Sequence, residues 1–192
     1  MSDASLPTSA LGDEVVSLIG YRGSGKTVVG RRLAEQLGWD FVDTDEMVEK
    51  SAGRTIREIF ETDGEIAFRK LETDVLEHAL AGRRRVVAAG GGAVLARRNR
   101  KSLRATGVCV WLTAPPEELL RRIAADERSA SQRPHLTNEP DLAEIEAVLQ
   151  ARLPVYEATA DQVVSTAGRS VEQVVEAVLE SLGAAKRPRN ES

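Results

Sequence analysis

Eight consecutive residues carry the clearest chemistry in the chain: Gly20-Tyr21-Arg22-Gly23-Ser24-Gly25-Lys26-Thr27. They fit the pattern G-x-x-x-x-G-K-[ST], and they stand between an apolar run and an amphipathic stretch, where such a loop must stand. Glycines at 20, 23 and 25 let successive backbone N–H groups turn inward around a phosphate, and the positive end of the following helix adds to their pull. Lys26 offers a mobile positive charge to the β and γ phosphates, and the Thr27 hydroxyl can bind Mg²⁺. A plain glycine turn before a helix would leave the Lys-Thr pair without a reason. Gly23, Ser24, Gly25, Lys26 and Thr27 are therefore expected to hold a nucleotide.

Acids and glycines recur at two later strand ends. Asp43-Thr44-Asp45 follows the short run Phe41-Val42, while the longer run Val86 to Ala89 ends in Gly90-Gly91-Gly92. In extended chain, residues two apart share a side, so Asp43 and Asp45 are expected to face the phosphate loop with Thr44 turned away. Two carboxylates there can divide the work, one toward Mg²⁺ through water and one gripping and deprotonating an acceptor hydroxyl. The competing reading is a helix cap supplied by Thr44 or Asp45. Three glycines in a row at a strand end mark a sharp turn or the close approach of a ligand.

The elements that must position these groups are legible as five short apolar runs: Val15 to Ile19, Phe41 to Val42, Val86 to Ala89, Val108 to Leu112 and Val163 to Val164. Amphipathic stretches separate them, which predicts an α/β fold with a parallel sheet. Val29, Leu33 and Leu37 recur at helical spacing with Gly38 placed to end the helix, and Leu142, Ile145, Leu149 and Leu153 repeat the pattern with Pro154 close behind. From Glu117 to Pro140 the period fades, and the polar stretch 126–134 reads as a loop or flap. One domain is expected over 13–183, with a lid at about 123–140 and flexible tails at 1–12 and 184–192.

Composition narrows the classes. With 42% hydrophobic and 29% charged residues in 192, the chain is ordinary for a globular protein. A formal charge of −4 gives no footprint for nucleic acid, and the arginines at 83–85 and 97–104 lack a stacking aromatic cluster, so they read as solvated faces. No run approaches the roughly 20 apolar residues that span a bilayer. No signal or transit peptide is readable, and the lone Cys109 reads as a buried hydrophobe, so a cytoplasmic protein is expected. Asn-Lys-x-Asp is absent, which argues against a guanine-nucleotide switch.

GYRGSGKT, FVDTD, FRKLE, VVAAGGG, the QRP of the flap and ARLPVY occur in an order and approximate spacing that resemble the shikimate kinases, from about Val15 to Tyr156. The resemblance implies a three-layer P-loop kinase fold, with five parallel strands flanked by helices, a mobile lid and a substrate-binding helical region. It also implies transfer of the ATP γ-phosphoryl group to the 3-hydroxyl of shikimate in chorismate and aromatic amino acid biosynthesis, by a monomer that takes ATP and Mg²⁺.

By the same resemblance Arg69 and Arg152 hold the shikimate carboxylate, Asp45 takes the hydroxyls as acceptor base, and Gly91 and Gly92 offer backbone contacts. Asp43 joins Thr27 at the metal, Arg133 closes over the phosphates, and Arg122 stacks on adenine, although Arg121 is adjacent. Guanidinium forks suit a carboxylate, and Glu72 can orient Arg69. The bland readings are a surface pair of Arg69 with Glu65 or Glu72, a solvated helix end for Arg152, and core positions for Phe60 and Phe68. After the lid Arg-Pro the family commonly shows apolar residues, where this chain has His135-Leu136. Rival readings are a kinase for gluconate or a nucleoside monophosphate, and a silent nucleotide-binding regulator.

Overall fold

The computed structural model describes residues 14–125 and 141–185. Five parallel strands form one sheet: β1 (Val15–Ile19), β2 (Asp40–Asp43), β3 (Arg85–Ala88), β4 (Val108–Thr113) and β5 (Gln162–Ser165), in the order β2-β3-β1-β4-β5. β1 is central, with Val16 opposite Val86 on one side and Val108 on the other. All five of its residues are buried, as expected for a strand covered on both faces.

Alternation along β1 divides the core. Val16 and Leu18 face α1 (Lys26–Leu37) and the C-terminal helix α7 (Val171–Ala185), packing with Val29, Leu33, Val175 and Val178. Val15 and Ile19 face the opposite layer, built on α3 (Ile56–Leu80), α4 (Arg97–Ala105) and α6 (Leu142–Thr159), with Leu76, Leu103 and Tyr156. Helices α2 (Thr44–Ala52) and α5 (Pro116–Ala125) complete the set among the described residues. α1 ends as expected at Gly38, whose φ of 64° is the left-handed cap that glycine adopts without strain.

α2 and α3 form an arm beside the sheet with a small core of its own: Val48, Ile56, Ile59, Phe68 and Val75. A capping box starts α3, Thr55 Oγ1 accepting from the Glu58 amide while the Glu58 carboxylate accepts from the Thr55 amide, an arrangement worth about 1 kcal/mol. Gly64 breaks the helix at φ 81° and ψ 172°, a conformation essentially reserved for glycine.

One expectation and one competing reading need correction. Ile123, Ala124 and Ala125, expected to open the lid, form the last turn of α5, and Ile123 is buried against Leu119 and Ile145. Arg152 is not at a helix end, because α6 continues through Pro154 to Thr159. Proline forfeits a hydrogen bond there at a cost of roughly 3 kcal/mol, and burial of Tyr156 and Thr159 beyond it offsets much of that. The arginine-rich α4 is occupied structurally, Arg98 pairing with Glu77, Arg100 donating to the Val94 and Leu95 carbonyls and Arg104 to that of Ala158. Cys109 is fully buried, and burial, with the Asp161 charge adding to it, pushes its thiol up to about 12. No helix among the described residues is long and apolar enough to cross a membrane.

Candidate active site

The C-terminal ends of β1, β2 and β3 open on one side of the sheet, and the chemistry foreseen in the sequence collects there. Between β1 and α1 the loop turns on Gly20, Gly23 and Gly25, all at positive φ. A Cβ at Gly20 would lie 2.5 Å from the Leu112 carbonyl oxygen, so the turn needs glycine for space as well as for φ. Lys26 Nζ donates to the carbonyls of Gly20 and Tyr21, each at 3.0 Å, and so spans the mouth of the loop.

Thr27 Oγ1 donates to Asp43 Oδ2 at 2.7 Å. The other oxygen of Asp43 accepts from the amides of Asp45 and Glu46, so the cap of α2 is Asp43, not Thr44 or Asp45. Extended alternation thus stops at Asp43, and the first turn of α2 sets the direction of Asp45. Thr44 does turn away from the crevice: it is buried, and its hydroxyl accepts from the Gly90 amide at 2.9 Å. Burial, then the charge of Asp45, pushes the Asp43 carboxyl above its ordinary range. One carboxylate and one hydroxyl suit Mg²⁺, which takes few protein oxygens and leaves the rest of its shell to water and phosphates. No group of three or more His, Cys, Asp or Glu side chains among the described residues could hold a metal.

The three glycines after β3 meet three charged side chains from three other places in the chain. A Cβ at Gly90 would lie 2.6 Å from Asp45 Oδ1, and one at Gly92 would lie 2.5 Å from Arg69 Nη1. The Gly91 carbonyl accepts from Arg152 Nη1 at 3.1 Å. Bare backbone at Gly90 and Gly92 is what leaves room for the Asp45 carboxylate and the Arg69 guanidinium, while Arg152 takes the carbonyl oxygen between them. Arg69 also bonds Glu72 at 2.8 Å and Glu65 at 3.2 Å, so its helix-face pairing and its place at the turn coexist. Glu72 is 1% exposed and fixes the guanidinium from beneath. Phe68 is fully buried against Phe60, ring centroids 4.5 Å apart, which makes both core residues of the arm.

Arg122 donates to the Gly23 carbonyl at 3.2 Å, to the Thr166 hydroxyl at 2.9 Å and to the Thr166 carbonyl at 3.0 Å, and pairs with Glu118. Arg121 is largely exposed, so of the two neighbours Arg122 is the one at the phosphate loop. Arg133 and His135 lie outside the described residues. Sequence reasoning missed Thr44 as a support for the glycine turn, Glu118 and Thr166 as partners of Arg122, and Tyr156, whose hydroxyl donates to the Gly91 carbonyl at 3.1 Å. The spacing of Tyr156 four residues after Arg152 was the one available signal.

A glycine loop joining the central strand to a helix, with its Lys-Thr pair and a facing aspartate, on a sheet of this order, defines a P-loop kinase. The shikimate kinase family profile matches residues 22–183. Shikimate kinase of Symbiobacterium thermophilum is 46% identical over 87% of this chain and 95% of its own length. Shikimate kinase 2 of Dickeya chrysanthemi is 45% identical over 79% of this chain and 86% of its own. The solved structure of shikimate kinase from Acinetobacter baumannii in complex with shikimate superposes with a TM-score of 0.86 at 35% identity, covering 94% of this chain and 99% of that one. The chain belongs to the shikimate kinase family.

Proposed function

We propose that this enzyme transfers the γ-phosphoryl group of ATP to the 3-hydroxyl of shikimate, giving shikimate 3-phosphate and ADP on the route to chorismate and the aromatic amino acids. The observation that carries this reading is the convergence of Asp45, Arg152 and Arg69 on Gly90, Gly91 and Gly92 beside the phosphate loop. A small acceptor with a carboxylate at one end and hydroxyls at the other matches that set of charges. Arg69 and Arg152 would hold the carboxylate, with the backbone of Gly91 and Gly92 in contact, and Asp45 would orient the 3-hydroxyl and accept its proton. Gly23, Ser24, Gly25, Lys26 and Thr27 would hold the phosphates, and Arg122 the adenine side. Thr27 and Asp43 would hold Mg²⁺, whose charge offsets that of the β and γ phosphates. By family resemblance Arg133 would offset charge as the phosphoryl group moves. The enzyme is taken to act as a monomer in the cytoplasm, without nucleic acid.

The test is ADP release from purified protein with Mg-ATP and, in parallel, shikimate, gluconate, AMP, dTMP or no acceptor. Turnover stimulated by shikimate alone supports both reaction and acceptor. Preference for another acceptor keeps the kinase and removes the pocket assignment, and nucleotide binding without stimulated turnover makes the chain a silent regulator.

Asp43 carries a pH signature. Its folded-state pKa lies above the ordinary 3.8, so ionising it costs more in the folded protein than in the unfolded chain. That cost is absent at low pH, grows as pH rises from 3.8 through the raised value, and is complete above it. Asn caps a helix about as well as Asp. In metal-free buffer Asp43→Asn should therefore melt higher than the parent at pH 7, with the difference shrinking toward pH 4, while Mg²⁺-dependent turnover falls by at least about tenfold. A melting difference that does not change with pH would refute the account.

A further inference from the structure

Arg152 and Tyr156 lie one turn apart on α6, and both donate to the same acceptor, the Gly91 carbonyl, each at 3.1 Å. Tyr156 is 1% exposed. Its ring stacks on Trp111 of β4, centroids 5.3 Å apart and planes 12° from parallel, which anchors the side chain to the sheet. The hydroxyl thus reaches the triglycine turn from a rigid base, while Arg152 reaches it from the partly open side. We propose that Tyr156 is a positioning residue for the acceptor site, pinning the Gly91 carbonyl so that Arg152 is held with its remaining N–H groups presented to the acceptor carboxylate.

A carbonyl oxygen has two lone pairs, and here two donors take them. With the oxygen fixed by the phenol, the Arg152 guanidinium has one N–H tied down. Fixing a side chain before the ligand arrives lowers the ordering cost of binding. Tyr21 contributes to the same restraint, its ring centroid 5.8 Å from Arg152 Cζ. Without the phenol hydroxyl, the turn and the guanidinium can drift together, and the acceptor must reorder both. The effect falls on acceptor binding, since Lys26 and Thr27 are held by partners of their own.

The inference rests on the acceptor reading above, and the experiment separates the two. Steady-state constants for ATP and shikimate are measured for the parent, Tyr156→Phe, Arg152→Ala and the double variant, with melting temperatures alongside. Tyr156→Phe keeps the ring and its stack and should raise the shikimate KM about 3- to 10-fold, the size of one lost hydrogen bond, with kcat and the ATP KM within about twofold. In the Arg152→Ala background the same change should add little. An unchanged shikimate KM in Tyr156→Phe, parallel rises in both KM values, or a full additional effect in the double variant would each overturn the positioning role. If Arg152→Ala itself leaves the shikimate KM unaltered, the acceptor reading has failed first.

Discussion

Asp45→Asn is expected to lower kcat with shikimate by about 10²- to 10⁴-fold, the usual weight of a positioned general base. The substitution keeps shape and hydrogen-bonding reach but cannot take a proton. Asp45 stands in the first turn of α2, its oxygen against Gly90 and its charge close to that of Asp43. Losing a negative charge at a helix N-terminus costs about 0.3–1 kcal/mol, and relieving the repulsion with Asp43 acts in the opposite sense. The fold should therefore melt within a few degrees of the parent. Shikimate KM should move far less than kcat, because an amide still contacts a hydroxyl. Rapid-quench measurement of the chemical step decides the matter, and an Asp45→Asn enzyme with near-parental kcat would remove the base assignment.

Lys26→Met is expected to lower kcat by at least about 10²- to 10³-fold, the loss that follows removal of one donor aimed at developing charge. Methionine follows the lysine side chain as far as Cε and removes the ammonium group. Lys26 Nζ bridges the carbonyls of Gly20 and Tyr21, so the variant also frees two acceptors at the mouth of the loop. Water can reach them there, and the stability loss should stay near 1 kcal/mol. Calorimetry should show weakened ATP binding and intact shikimate binding. Unchanged turnover would mean that Lys26 only braces the loop.

Much of the donor half was legible because it is local. The phosphate loop is one contiguous string, and β1 spans Val15–Ile19 as the apolar run predicts, since a strand buried on both faces writes itself as a near-continuous apolar run, here broken by Ser17 alone. β2 was harder, showing only Phe41-Val42 because Asp40 and Asp43 occupy its ends at the sheet edge. The acceptor half is assembled from α2, α3, the turn after β3 and α6, and no spacing rule says that residues so far apart share a turn. Family resemblance supplied that set, and geometry supplied the reason, namely glycines without side chains beneath Asp45 and Arg69, with Arg152 bonded to the carbonyl between them. Adjacent Arg121 and Arg122 could not be told apart in the sequence, since only the packing of α5 against Gly23 and Thr166 decides which one turns inward. Pro154 announced a helix end that packing of Tyr156 overrode.

The small core between α2 and α3 has no fully buried member in common with the two cores that clamp the sheet, and α3 is interrupted at Gly64, while its later turns carry Leu76, Ala79 and Leu80 into the second of those cores. Conservative changes at Val48, Ile56 or Ile59 should therefore be felt in the arm more than in the layers that carry the phosphate loop. Of the acceptor groups, Asp45 and Arg69 ride on the arm, whereas Arg152 and the glycine turn stay tied to the sheet that carries the donor loop.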